Sequence, residues 1–525
     1  MRLLYNARIH TLDSSFPIAT VLAVENGTIM ALGGEELMQE FGFAQREDMR
    51  GQVILPGLVD AHIHLQEYAQ SREFIDCEMV EKENILQRVK ERIKQIQRGE
   101  WVQGHGWNQN NWGGEYPTST NLDAVAPENP VCLTAKSLHA MWVNSAVLNL
   151  AGINSSTEDP INGTIQRDVF GIPTGILFEN AIKLVEGIIP EPTPESLAQK
   201  FRRIITELWH MGLTGVHDFD QRTCFQALQL LHDRGELRFR VIKSIPFDHL
   251  PEAVALGLRS GFGDDFLRIG AVKFFADGAL GPHTGAMFEP YVDEPQNRGI
   301  LMMDQEQIFE KGVIAVEGGL QLAVHAIGDR AIHEVLVGYS RLRAYEREHG
   351  LTVLRHRLEH VQTIHPDDSS RLAELNIIAS MQPIHATSDM IMAERFLGER
   401  SKNSYAWKTQ VRHGARLAFG SDAPVESPNP FWGIHAAVTR RRSDGTPGLE
   451  GWIPEQRLTV GEAIKGFTLG PAFCTGMENQ LGKLSAGYLA DLIVVETDPF
   501  TCDPAALYDI QPTATMVAGE WVWQS

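Results

Sequence analysis

Positive charge is what this 525-residue chain is short of. Its 46 Lys and Arg stand against 67 Asp and Glu, for a formal net charge of -21. That balance argues against nucleic acid as a partner, because phosphate binding needs clustered Lys and Arg. The short basic run Arg440-Arg441-Arg442 reads as solvated surface. Cysteine is scarce too. The five (Cys77, Cys132, Cys224, Cys474, Cys502) are odd in number, scattered and without a Cys-x-x-Cys pair. They fit free thiols in a reducing compartment better than a disulfide scaffold. No run of about 18 apolar residues offers a transmembrane helix, and the first ten residues lack the apolar core of a signal peptide. The expectation is a soluble cytoplasmic protein with no membrane partner. Neither a short-period repeat nor a phosphate-gripping Gly-rich loop is present, which weighs against a sugar-phosphate barrel enzyme.

The ends of the chain are rich in β pattern. Leu3 to Thr11, Thr20 to Glu25 and Thr28 to Leu32 read as strands, with Gly27 and Gly33-Gly34 at the turns. Leu489 to Glu496 is a strong strand, and Ala514 to Trp523 alternates into another. Residues 1–52 and 484–525 together are expected to build one composite β-sandwich. Between them, helices alternate with short apolar runs. Ile85, Val89, Ile93 and Ile96 space out one helical face. Leu197, Phe201, Ile204 and Leu208 space out another, opened by Thr193-Pro194. Thr459 with Glu462 forms a capping box. The apolar runs fall at 214–219, 269–275, 320–325, 356–361, 377–381 and 417–421. With 53–60 and 131–135 they make eight candidate strands, the number a (β/α)8 barrel needs. The predicted fold is α/β: a TIM-like barrel over 53–483, with an insertion at about 66–200.

Several candidate strands end in a residue able to bind metal. His62 and His64, at i and i+2 on a strand, aim two imidazoles at one point, and imidazole is the commonest zinc ligand. His325, His360 and Asp422 end later runs. Lys273 interrupts Ala271-Val-Lys-Phe-Phe275, and a lysine inside an apolar strand is costly unless its charge is removed or paired. Two solutions stay open. One is reaction of the neutral amine with carbon dioxide to a carbamate that can bridge two cations. The other is an ion pair with a carboxylate such as Asp277. In a barrel these side chains would converge at the C-terminal face. Each also has a plainer reading: a hydrogen-bonded rim histidine, or, for Asp422, a cap.

The order His62-x-His64, Lys273, His325, His360, Asp422 resembles the amidohydrolase superfamily. More narrowly, it is similar to the YtcJ-like (amidohydrolase 3) branch, which includes N-substituted formamide deformylases. Supporting runs are Gly104-His-Gly-Trp-Asn-Gln-Asn110, Trp142-Val-Asn-Ser-Ala146, Val272 to Gly281, His325-Ala-Ile-Gly-Asp-Arg-Ala331, Glu359-His360, Gly420-Ser-Asp-Ala-Pro-Val425 and Gly487-Tyr-Leu-Ala-Asp-Leu492. The resemblance implies a barrel plus composite sandwich, with one or two divalent ions, usually zinc, and a carboxylated Lys273 to bridge a pair. His62 and His64 would hold one with Asp422, and His325 and His360 the other. It also implies a small-molecule substrate and a homodimer. Two runs depart from the pattern. Ser137-Leu138 precedes His139 where the family has Asp-Gly, and Gly281-Pro-His-Thr284 places His283 where the family has Arg.

The expected chemistry is hydrolysis of an amide-like, non-peptide C–N bond by a metal-activated water. Asp422 is the expected base, carrying the water's proton to the leaving nitrogen. His385 is a candidate oxyanion or substrate contact, and His139, Trp107 and His283 are candidate pocket residues. Arg330, with Asp329, could orient His325. A cyclic-amide hydrolase or deaminase would use the same metal centre. A non-catalytic interaction protein would be expected to have lost some of the six ligands, and this chain keeps them all.

Overall fold

A computed structural model describes residues 1–78, 81–136, 140–161 and 163–525. The chain forms two compact units, Met1–Tyr68 with Pro194–Ser525, and Ala69–Thr193. The larger holds an eight-stranded sheet of parallel strands in sequence order: β1 (Leu58–Ile63), β2 (Leu213–Asp218), β3 (Arg240–Pro246), β4 (Leu267–Phe275), β5 (Leu322–Ala326), β6 (Arg357–His360), β7 (Ile378–Met381) and β8 (Leu417–Phe419). The sheet closes on itself without a β8–β1 ladder. The Asp422 N–H donates to His62 O at 2.7 Å and the His64 N–H to Ala423 O at 2.9 Å. Asp60 accepts the Ser421 N–H at 3.1 Å and its hydroxyl at 2.5 Å. Gly420 permits this approach, since a Cβ there would lie 2.4 Å from the His62 nitrogen. The result is a TIM-like barrel.

Two of the eight expected strands need correction. The run 53–60 breaks at Gly57: Val53–Pro56 leaves the barrel and pairs with Arg8–His10 and Leu492–Val495. Val131–Ala135 belongs to the smaller unit. The barrel strand absent from the sequence reading is β3, whose apolar pattern is broken by Arg240 and Lys243. Both are buried and paired, Arg240 with Asp491 at 2.6 Å and Lys243 with Asp218 at 2.8 Å.

Strands from both ends of the chain form two further sheets of four and six strands. They share an apolar core that includes Leu4, Ile9, Leu22, Ile54, Leu492, Val494 and Met516. The last expected strand is a hairpin, Pro512–Val517 and Glu520–Gln524, because Ala518 and Gly519 both adopt positive φ. The long amphipathic helix runs Pro194–His210, and the capping box opens Val460–Gly466.

The basic run is not uniformly surface. Arg440 is 1% exposed, lies over the rings of Trp407 and Trp452, and donates to the carbonyls of Tyr405 and Trp452. All five cysteines are free, four of them buried. No helix among the described residues is long and apolar enough to cross a membrane.

The smaller unit is a mixed six-stranded sheet from Ile75–Asp76 to Pro173–Glu179, packed around Ile85, Val89, Trp107 and Trp142. Trp107 was expected to line a pocket. It is instead fully buried in this core, and its indole N–H donates to Leu133 O at 2.7 Å. His139, with Ser137 and Leu138, lies outside the described residues.

Candidate metal centre

All six expected ligands belong to the larger unit and stand at the C-terminal ends of barrel strands. Strand alternation delivers His62 and His64 together at the end of β1. In each ring one nitrogen is anchored by a carboxylate. His62 Nδ1 lies 2.7 Å from Glu359 Oε2, and His64 Nδ1 lies 3.1 Å from Asp220 Oδ1. The opposite nitrogens face one oxygen: Asp422 Oδ1 is 3.5 Å from His62 Nε2 and 3.4 Å from His64 Nε2. Phe219 stacks on the His62 ring with centroids 4.1 Å apart.

Across the barrel mouth, the His360 ring lies 4.4 Å from that of His325 and 5.0 Å from that of His62. His360 Nδ1 is held by Gln382 Oε1 at 2.9 Å, and His325 Nε2 by Gly278 O at 2.9 Å. His385, in the helix Pro383–Leu397 after β7, stacks parallel to His360 and places Nε2 3.2 Å from Ser421 O. Two sets of ligand atoms gather within 4.8 Å around the shared Asp422: His62 with His64, and His360 with His385. His385, read from sequence as a substrate contact, thus joins His360 in the set where His325 was expected, and His325 stands beside them. His360 and Asp422 both adopt left-handed backbone, φ 72° and 60°, uncommon for residues other than glycine and concentrated at functional sites.

Lys273, near the end of β4, is buried, with Nζ 3.3 Å from His62 Nε2 and over the rings of Phe219 and Phe275. It does not pair with Asp277. That carboxylate accepts the backbone N–H groups of Ala286, Ile327 and Gly328. Burial brings the Lys273 amine down to about 8. Burial also lowers His62 to about 4 and His325 to about 3, with Lys273 adding to both. Their lone pairs are therefore free near neutrality. Burial opposes a charge on His64 as well, but Asp220 and Asp422 outweigh it and raise that imidazole to about 10, so a cation and a proton compete for its Nε2. Burial likewise opposes ionisation of Asp422, yet the surrounding His62, His64, His360 and His385 hold it well below the usual carboxylate range. A nitrogen-rich donor set with one firmly anionic carboxylate suits zinc-like cations. The residues present fit a divalent ion.

The other expected contacts lie elsewhere. His283 sits between Asp293 and Glu294 and packs on Tyr291 and Phe396. Asp329 accepts the N–H groups of Phe288 and Arg330, so Gly278, not Asp329, orients His325. Arg330 stands in the first turn of the helix that follows β5, where its own N–H donates to Ala286 O. Sequence reasoning missed the supports Glu359, Asp220 and Gln382. It also missed Arg357, whose guanidinium grips Glu359 at 2.7 and 3.0 Å, His217 at 2.8 Å, and both Ala61 O and Ser380 Oγ at 2.7 Å. One signal was available: Arg357 and Glu359 are charges at i and i+2 on a strand, as unusual in a barrel interior as Lys273.

A model of the amidohydrolase family matches residues 45–523. A putative amidohydrolase, YtcJ of Bacillus subtilis, is 34% identical over 513 residues, 95% of each chain. The N-substituted formamide deformylase of Arthrobacter pascens is 29% identical over 537 residues, 98% of this chain and 97% of its own. A solved metal-dependent hydrolase from Pyrococcus furiosus, itself uncharacterized, superposes with a TM-score of 0.81 at 28% identity, over 95% of this chain and 100% of its own. With the barrel and its histidine-lined mouth, these matches make the chain a member of the amidohydrolase family.

Proposed function

We propose that the chain is a metal-dependent hydrolase that cleaves an amide-like, non-peptide C–N bond in a small molecule. The observation that carries this reading is the convergence of His62 Nε2 and His64 Nε2 on Asp422 Oδ1, with each ring's other nitrogen already committed to a carboxylate. A divalent ion held there, zinc by resemblance, would lower the pKa of water and polarise a carbonyl.

The chain's own groups do the rest. Asp422 is anionic and 13% exposed at its side chain, so it can take the proton of an attacking water and pass it to the departing nitrogen. His62, His325 and His360 stay neutral and present lone pairs. Lys273, brought down to about 8, can attack carbon dioxide as the free amine. An N–C bond forms as one C=O π bond of carbon dioxide opens onto oxygen, one proton leaves to solvent, and the neutral amine becomes an anionic carbamate among the histidines. The formamide deformylase relative makes N-substituted formamides the first substrates to try.

The zinc-loaded protein should hydrolyse at least one of N-substituted formamides, N-acyl amino acids or hydantoins, and turnover of simple esters alone would refute the C–N assignment. Asp422→Asn should lower kcat about 10²–10⁴-fold with KM little changed. Bound zinc with no turnover across the panel would refute the proposal.

A further inference from the structure

The hydrogen-bonded ring nitrogens of these histidines divide into two kinds. Behind His62 and His64 stand carboxylates, Glu359 and Asp220. Behind His360, His325 and His385 stand neutral oxygens: the Gln382 amide and the Gly278 and Ser421 carbonyls. We infer that the two cation positions are unequal: the His62–His64–Asp422 set fills first and holds its ion about 10–100-fold more tightly than the set around His360 and His385. The inference rests on the metal-dependent reading above and goes further by ordering the two positions.

Two effects produce the difference. A carboxylate hydrogen-bonded to the far nitrogen of an imidazole raises the basicity of the near one and fixes its tautomer. The carboxylates also attract the ion directly, and a dication gains twice the attraction that a competing proton on His64 gains. Glu359 is the firmer of the two. The Arg357 guanidinium grips both of its oxygens, at 2.7 and 3.0 Å. Asp422 is common to both positions and does not discriminate between them. The remaining carboxylate near the second position is Asp277, 3.6 Å from His325 Nε2. Three backbone N–H groups already occupy its two oxygens. Lys273 Nζ lies nearest the first position, 3.3 Å from His62 Nε2, where as a carbamate it would add negative charge.

The test uses cobalt(II) added to the metal-free full-length protein. At one equivalent, anomalous diffraction should show a single ion at His62, His64 and Asp422. Dialysis of doubly loaded protein against a weak chelator should remove the other equivalent first, by metal analysis. Glu359→Gln should loosen the first-bound ion about 10–100-fold with little effect on the second, and Gln382→Leu should loosen only the second. If Glu359→Gln fails to fold, Asp220→Asn reads the same quantity. A first ion at His360 and His385, equal occupancy of both positions, or a first-bound ion loosened by Gln382→Leu overturns the ordering and leaves the hydrolase reading standing. Binding of no cobalt overturns both.

Discussion

Arg357→Met removes the cation beneath the metal centre while keeping most of its stem. Arg357 is 4% exposed and donates to Glu359, His217, Ala61 and Ser380. Without it, Glu359 is a buried carboxylate whose one remaining partner is His62. Breaking a buried pair from one side costs about 3–5 kcal/mol, because a charge is left uncompensated. The double variant Arg357→Met with Glu359→Gln leaves no charge behind and should recover more than about 1 kcal/mol of that loss. Dependence on pH provides a second reading. In the native protein the Glu359 carboxyl is depressed, so its stabilisation is present above the ordinary carboxylate pKa of about 4.3 and fades as pH falls through the lowered value. In Arg357→Met the carboxyl is raised instead. The folded state then keeps a proton that the unfolded chain releases, and stability falls as pH climbs from about 4.3 toward the raised value. Urea unfolding of the metal-free proteins at pH 5 and pH 8, followed by tryptophan fluorescence, measures both. A loss below about 1 kcal/mol, or a double variant no more stable than Arg357→Met alone, would refute the argument.

The Lys273 amine, brought down to about 8, becomes increasingly neutral as pH rises through that value. With labelled bicarbonate, a carbamate carbon resonance should therefore grow between pH 7 and pH 9 and be missing in Lys273→Met. A signal that is flat with pH, or that survives the substitution, counts against carbamate formation. Gly420→Ala drives a methyl to 2.4 Å from the His62 nitrogen and 2.6 Å from Asp60 Oδ1. Overpacking of that kind costs about 1–3 kcal/mol. Thermal denaturation should show the loss and metal analysis a drop in bound ion, and a variant unchanged in both would contradict the close approach.

Much of the site was readable because a barrel strand ends where its chemistry begins. His62-x-His64, Lys273, His325, His360 and Asp422 all sit at or near strand ends, so apolar runs with a discordant residue within or just after their last few positions marked them. The carboxylate partners of the first two histidines were not readable, because they couple residues remote in sequence: Glu359 lies 297 positions from His62, and Asp220 lies 156 from His64. The strand Arg240–Pro246 was hidden for a related reason. Its charges look like those of a loop until Asp491 and Asp218 are found folded against them. Val131–Ala135 failed in the opposite sense. A short buried strand has the same apolar pattern in either sheet, and only pairing with Val102–Trp107 and Ala140–Val143 assigns it.

The β8–β1 junction lacks a ladder and is stitched by the main chains of His62, His64, Asp422 and Ala423. The residues that would grip the ion are thus also the clasp of the cylinder. An ion bridging His62 and Asp422 would fasten the first strand to the last, so loading the protein should slow amide hydrogen exchange along both edges of that join more than at the opposite wall. A molecule with the clasp undone would be inert rather than slow, since its ligands and its base would part together.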